Sequence, residues 1–207
     1  MATLTLNAFL TLDGVMQAPG GPEEDPSDGF TSGGWQAPYV DEDLIRFVTG
    51  YLERADGILL GRRTYEIFAG FWPKVTDEGD RIASVLNSRP KYVVSSTLAS
   101  GDADWKETTL VGGDAVAAVT RLKEEAAGEI QVHGSTRLAG TLIAHGLLDE
   151  LNLLVHPVYL GQGRRLFQDR VGAPAAYTLT EHSTTATGVS VGTYRLSGPA
   201  RFGTVGE

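Results

Sequence analysis

Three short runs in this 207-residue chain place phosphate-binding residue types where a strand would run into a helix or a loop. The first is Ile58-Leu59-Leu60-Gly61-Arg62-Arg63-Thr64-Tyr65. An apolar strand meets glycine, then a helix that opens with two arginines and a threonine. Glycine lets a ligand approach the backbone. The first turn of a helix has N–H groups without intrahelical partners, and arginine adds charge-assisted bonds to phosphate. The run also reads as a plain strand-to-helix turn with solvated arginines. The second is Ile130-Gln131-Val132-His133-Gly134-Ser135-Thr136-Arg137-Leu138, with the same order of strand, small residues, hydroxyls and arginine. Two such junctions at the carboxyl ends of strands in one α/β sheet point to a ligand with two anionic regions, such as a dinucleotide. Neither carries G-x-G-x-x-G, and no Walker A sequence is present. The third run, Val93-Val94-Ser95-Ser96-Thr97, sets hydroxyls just past a strand. It reads as a plain loop or as the lining of the adenosine end of a nucleotide.

Composition narrows the alternatives. There are no cysteines, which excludes disulfides, thiolate metal sites and cysteine nucleophiles. No two of the four histidines have metal-ligand spacing, so no metal is expected. With 26 Asp+Glu against 17 Lys+Arg, the net charge is −9. That balance argues against a general nucleic-acid binder or a binder of anionic membranes. No run approaches the ~18 apolar residues of a spanning helix. The first residues read as a strand and not as a basic leader, so a cytoplasmic location is expected. Glycine is abundant, 26 of 207 residues, without a G-x-y period. The excess must serve turns, close approaches or flexible loops.

The elements that would position these runs follow from periodicity. Residues 3–12 read as a first strand, ended by Asp13-Gly14. From Asp13 to Pro38 the chain is rich in Gly, Pro and Asp, and a loop of that length is either a tolerated insertion or a lid. Asp41 to Ala55 has an apolar stripe at Leu44, Val48, Tyr51, Leu52 and Ala55, with Glu42 and Asp43 in its first turn. Strands are expected at 58–60, 91–95, 108–111, 129–133 and 151–158. Helices are expected from Arg62 or Thr64 to Pro73, over 77–87 and 114–126, and from a Ser135 cap to His145. Segments 177–182 and 189–196 alternate like a terminal hairpin. Arg164-Arg165 reads as solvated. The pattern predicts one α/β domain over 1–207. It is a three-layer α/β/α arrangement with a mixed, mainly parallel central sheet and a C-terminal antiparallel hairpin.

These motifs, in this order, resemble the dihydrofolate reductase superfamily: the 3–12 strand with Asp13-Gly14, Leu-Gly-Arg-Arg-Thr-Tyr-Glu at 60–66, Val-Val-Ser-Ser at 93–96 and Val-His-Gly-Ser at 132–135. Leu148 to Leu151, His156-Pro157-Val158 and Leu160-Gly161-Gln162-Gly163 are similar to the branch of the riboflavin-biosynthesis reductase, the RibD C-terminal type. The resemblance covers about residues 3–196. It implies NADPH lying across the strand ends. Gly61, Arg62, Arg63 and Thr64 would hold phosphate, with Arg62 or Arg63, Ser95 and Ser96 meeting the 2′-phosphate. His133, Gly134, Ser135, Thr136, Arg137 and Leu138 would serve the second junction, where the pyrophosphate binds. The backbone of Ala8 and Phe9, with Met16, would border the nicotinamide. Trp35 and Phe47 would face the substrate beneath a lid at 13–38. Asp43, on the first helix, would be the catalytic acid, buried and with a raised pKa suited to proton delivery.

The function implied is NADPH-dependent hydride transfer to a small pteridine- or pyrimidine-like heterocycle, as in 5-amino-6-(5-phosphoribosylamino)uracil reductases. Genuine dihydrofolate reduction is one alternative. A nucleotide-binding module without catalysis is another. The resemblance also implies a homodimer.

Overall fold

A computed structural model of the chain describes residues 1–167 and 172–206. Eight strands form one sheet: β1 Thr3–Thr11, β2 Gly57–Gly61, β3 Lys91–Val94, β4 Thr108–Val111, β5 Glu129–His133, β6 Glu150–His156, β7 Ala175–Thr184 and β8 Ser190–Pro199. Their order is β4-β3-β2-β5-β1-β6-β8-β7. The first six are mutually parallel, and β8 and β7 close one edge in antiparallel pairing. The helices are α1 Glu42–Glu53, α2 Arg62–Phe71, α3 Arg81–Ser88, α4 Ala115–Glu125 and α5 Thr136–Ala144. Among the described residues no helix is long and apolar enough to cross a membrane.

Alternation in β1 divides the core. Leu4, Leu6, Ala8 and Leu10 pack with Val119 of α4 and Leu138, Ala139 and Leu142 of α5. On the opposite face, α1, α2 and α3 cover Ile58, Leu60 and Val93 through Leu52, Tyr65 and Leu86. The C-terminal part of the sheet, at Leu154 and Val191, packs on Leu44 and Tyr51 of α1. Three layers result, with the strand carboxyl ends aligned along one edge of the domain.

Aspartates start three helices. Asp41, Asp80 and Asp114 accept from the N–H groups of Leu44 (2.8 Å), Ala83 (2.9 Å) and Ala117 (2.9 Å). Asp80 explains why α3 starts at Arg81 and not at Asp77. Asp77 instead accepts from the Gly79 N–H and closes a separate turn.

The 13–38 segment is folded against the domain and is not a loose loop. Val15, Met16, Ala18, Phe30 and Trp35 are buried. A Cβ at Gly33 would come within 2.6 Å of the Gly21 carbonyl oxygen, so the segment packs backbone on backbone where only glycine fits. At its stem, Asp13 accepts from the Thr11 hydroxyl, the Leu160 and Gly161 N–H groups and Arg165. Burial alone would raise the Asp13 pKa. The four hydrogen bonds outweigh it and hold the carboxyl at about 2.

Candidate active site

The two strand-to-helix junctions touch. Ser135 donates to Thr64 Oγ1 from both its N–H and its hydroxyl, each at 2.9 Å, and its hydroxyl oxygen accepts the Gly61 N–H at 2.7 Å. Gly134 lies so close that a Cβ there would stand 2.9 Å from Thr64 Cγ2, and its φ is +52°. Ser135 follows in the left-handed conformation, φ 58°, and makes no side-chain cap for α5. The expectation of a Ser135 cap is corrected: its hydroxyl is taken by the N–H of Gly61, at the end of the neighbouring strand β2. Neither α2 nor α5 has a side-chain cap from its N-cap residue, in contrast to α1, α3 and α4. Two adjacent helix starts therefore keep free N–H groups, the arrangement that receives phosphate.

The third run joins them through Arg62. Its guanidinium donates to Thr97 Oγ1 at 2.8 Å and pairs with Glu66 at 2.7 Å. Ser95 Oγ accepts from the Thr97 and Leu98 N–H groups and so shapes the loop, while Ser96 is exposed. Arg63 turns the other way, to Ser27 Oγ at 3.0 Å. Of the two arginines, Arg62 is the one beside the 95–97 loop. Arg137 is exposed, and Thr136 and Leu138 are buried at the start of α5.

Two residues expected to face a substrate are placed differently from expectation. Asp43 is not buried. Its side chain is 34% exposed, is paired with Arg46 at 2.7 Å, and accepts the Ala186 N–H at 3.3 Å. Trp35 does not face an open cleft. It is buried, donates from Nε1 to the Gln17 carbonyl at 2.8 Å, and meets the His156 ring edge-on at 5.2 Å. Phe47 is half-buried and packs with Leu44, Leu154 and Phe9. Ala8 and Met16 lie in the core beside Leu10, and Phe9 lies edge-on to His156 at 6.1 Å.

Sequence reasoning missed several residues. Arg164 is not solvated: only 19% exposed, it grips Asp25 and Asp28 of the 13–38 segment and donates to Ser27 Oγ. Arg165 bonds the Asp13 carbonyl and carboxylate. A cleft of about 510 Å³ opens between this segment and α2, lined by Asp25, Ser27, Arg63, Glu66 and Ile67 among others. His156 is fully buried among Phe9, Trp35 and Tyr39. Its Nδ1 faces the Leu10 and Leu154 carbonyls, and burial lowers its pKa. Asn152, an amide inside an apolar strand, was the visible signal of a buried polar row described below.

The family model for the RibD C-terminal domain matches residues 2–191. The protein YyaP of Bacillus subtilis is 28% identical over 172 residues, covering 80% of each chain. A putative riboflavin biosynthesis protein from Shewanella sp. PV-4 superposes with a TM-score of 0.67 at 19% identity, over 94% of this chain and 99% of that one. Dihydrofolate reductase from Enterococcus faecalis, solved with NADP(H), superposes with a TM-score of 0.59 at 14% identity, over 94% and 96%. These likenesses bear out the fold expected from the motifs.

Proposed function

The chain belongs to the RibD C-terminal domain family, and from that premise we propose that it is an NADPH-dependent reductase of a small pteridine- or pyrimidine-like heterocycle. The observation that carries this proposal is the seam between Thr64 and Ser135, which sets two uncapped helix starts side by side. The residues present suit a phosphorylated dinucleotide. Free N–H groups at Arg62 to Thr64 and at Thr136 to Leu138 would receive the pyrophosphate. Arg62, beside Thr97, Ser95 and Ser96, would meet the 2′-phosphate. The local positive ends of two helices and an arginine make such a site compatible with a net charge of −9.

Bound NADPH supplies a hydride from its nicotinamide C4. The chain's own residues bind, orient and exclude water. Ala8, Phe9 and Met16 would border the nicotinamide, and Phe47 and the 13–38 segment would enclose the substrate. The proton that accompanies hydride transfer is assigned to Asp43, in the first turn of α1. Asp43→Asn should lower kcat at least roughly tenfold; full turnover in that variant removes Asp43 from the role.

Fluorescence titration with NADPH tests the central claim. Saturable binding below 1 mM is expected on the order of ordinary cofactor affinities, and its absence overturns the proposal. The Arg46–Asp43 ion pair also favours a second reading, a nucleotide-binding module without turnover. It predicts tight NADPH binding with no oxidation across a panel of pterins and aminopyrimidines.

A further inference from the structure

Beneath α1, a row of polar side chains crosses four strands inside the core. Gln131 and Asn152 are fully buried, and Thr193 and Tyr51 nearly so. The direction of every bond in this row is fixed from one end. Gln131 Nε2 lies 2.6 Å from the Tyr51 carbonyl oxygen and 2.7 Å from the Glu129 carboxylate. Both groups only accept, so the amide nitrogen must point at them. Gln131 Oε1 then faces Asn7 Nδ2 at 2.9 Å and His133 Nε2 at 3.2 Å. Asn7 Oδ1 accepts from Asn152 Nδ2 at 2.8 Å, and Asn152 Oδ1 accepts from the Thr193 hydroxyl at 2.8 Å.

The row ends at His133, and there it decides a tautomer. An amide oxygen has no proton to give, so His133 Nε2 must carry the ring hydrogen. Burial lowers the pKa of this imidazole to about 4, so it is neutral near pH 7 with one ring proton. Nδ1 is therefore a bare lone pair. It accepts no hydrogen bond from any described residue. His133 is the last residue of β5, half-buried, opposite Asn7 of β1 and one residue before the Gly134–Thr64 contact. A row of buried amides costs desolvation that apolar residues would avoid. Its product is one ring nitrogen held as an acceptor at the carboxyl end of β5, beside Gly134.

We propose that His133 is a specificity-determining residue whose Nδ1 accepts a hydrogen bond from a ring N–H or amino group of the substrate heterocycle, with Gln131 as its positioning residue. This rests on the reductase reading for the location of the substrate. A site built around such an acceptor rejects an analogue that lacks the donor, because its own lone pair is then left unpaired.

Nitrogen NMR of histidine-labelled protein tests this apart from turnover. The free protein should show His133 as the Nε2–H tautomer, and Gln131→Met should mix the two tautomers. Millimolar 5,6-diaminouracil, added with NADP+, should shift the Nδ1 resonance. His133→Leu should weaken diaminouracil binding at least roughly tenfold. His133→Asn, whose Oδ1 supplies an acceptor near the position of Nδ1, should restore most of it. That rescue by His133→Asn is the readout that a merely structural role would not predict. A shifted Nδ1 without NADPH oxidation sustains His133 as the acceptor and defeats only the reductase reading. An Nδ1–H tautomer in the free protein, or an Nδ1 resonance unmoved by diaminouracil, overturns the assignment.

Discussion

Thr64 and Ser135, 71 residues apart, share two hydrogen bonds at 2.9 Å, and both end on the Thr64 hydroxyl oxygen. The pair joins the start of α2 to the start of α5. Thr64→Val removes the acceptor while keeping the side chain's shape, and leaves the Ser135 N–H without its partner. The expected loss of stability is roughly 1–3 kcal/mol. NADPH affinity should fall with it. Urea denaturation and fluorescence titration on the same preparation check both.

Gly134→Ala should be more harmful than its size suggests. The residue has φ +52°, and the new methyl would meet Thr64 Cγ2 at 2.9 Å. The backbone conformation alone costs about 1–2 kcal/mol for an L-residue. Combining it with Thr64→Ser, which removes the opposing methyl, should recover part of the loss. A double-mutant cycle by thermal melting would expose that coupling, and strict additivity would contradict the contact.

The 13–38 segment should be released by cutting its latch. Arg164→Met strands the carboxylate of Asp25, whose side chain is 9% exposed, without its principal partner. A loss of roughly 3–5 kcal/mol is expected, the usual penalty for removing one partner of a largely buried ion pair. Limited proteolysis should then cut first between residues 18 and 34. Unchanged digestion would show that the apolar pins, Phe30 and Trp35, suffice.

Acid should weaken the fold in two stages. The folded pKa of His133, about 4, lies below the ~6.5 of an unfolded histidine. Between those values the unfolded chain binds more protons, so stability is full above about pH 6.5 and declines as pH falls toward 4. His156 acts in the same direction. Asp13, held at about 2 against 3.8, adds a second loss as pH falls below about 4. Denaturant midpoints from pH 8 to pH 3 would trace both. His133→Asn should flatten the upper stage.

The two strand-to-helix junctions were legible because their signals are local. Gly61 to Thr64 and Gly134 to Leu138 combine glycine, hydroxyls and arginine at strand-helix boundaries, where few other purposes need them together. The aspartate starts of α1 and α4 were legible for the same reason. What was hidden depends on partners far away in the chain. Ser135 looked like a helix cap, but Gly61 claims its hydroxyl. Arg164 looked solvated, but Asp25 lies 139 residues earlier. Asp43 looked set for burial, and the turn at Ala186 and the nearby Arg46 hold it at the surface instead. The tautomer of His133 follows from Gln131 on its own strand, whose amide is turned by the Tyr51 carbonyl on α1 and the Glu129 carboxylate, and no spacing rule could have revealed that orientation.

The place of β1 in the sheet has a further consequence, for synthesis. It lies in the middle of the sheet, between β5 and β6, so Thr3 pairs with Glu129 and Thr5 with Glu150. A chain growing on a ribosome makes this strand some 125 to 145 residues before the neighbours it pairs with. Until then Leu4, Leu6, Ala8 and Leu10 have no sheet to join, although β2, β3 and the helices between them can already assemble. The nascent protein carries an unpaired apolar strand through that interval, the condition under which chaperones are recruited and neighbouring chains aggregate.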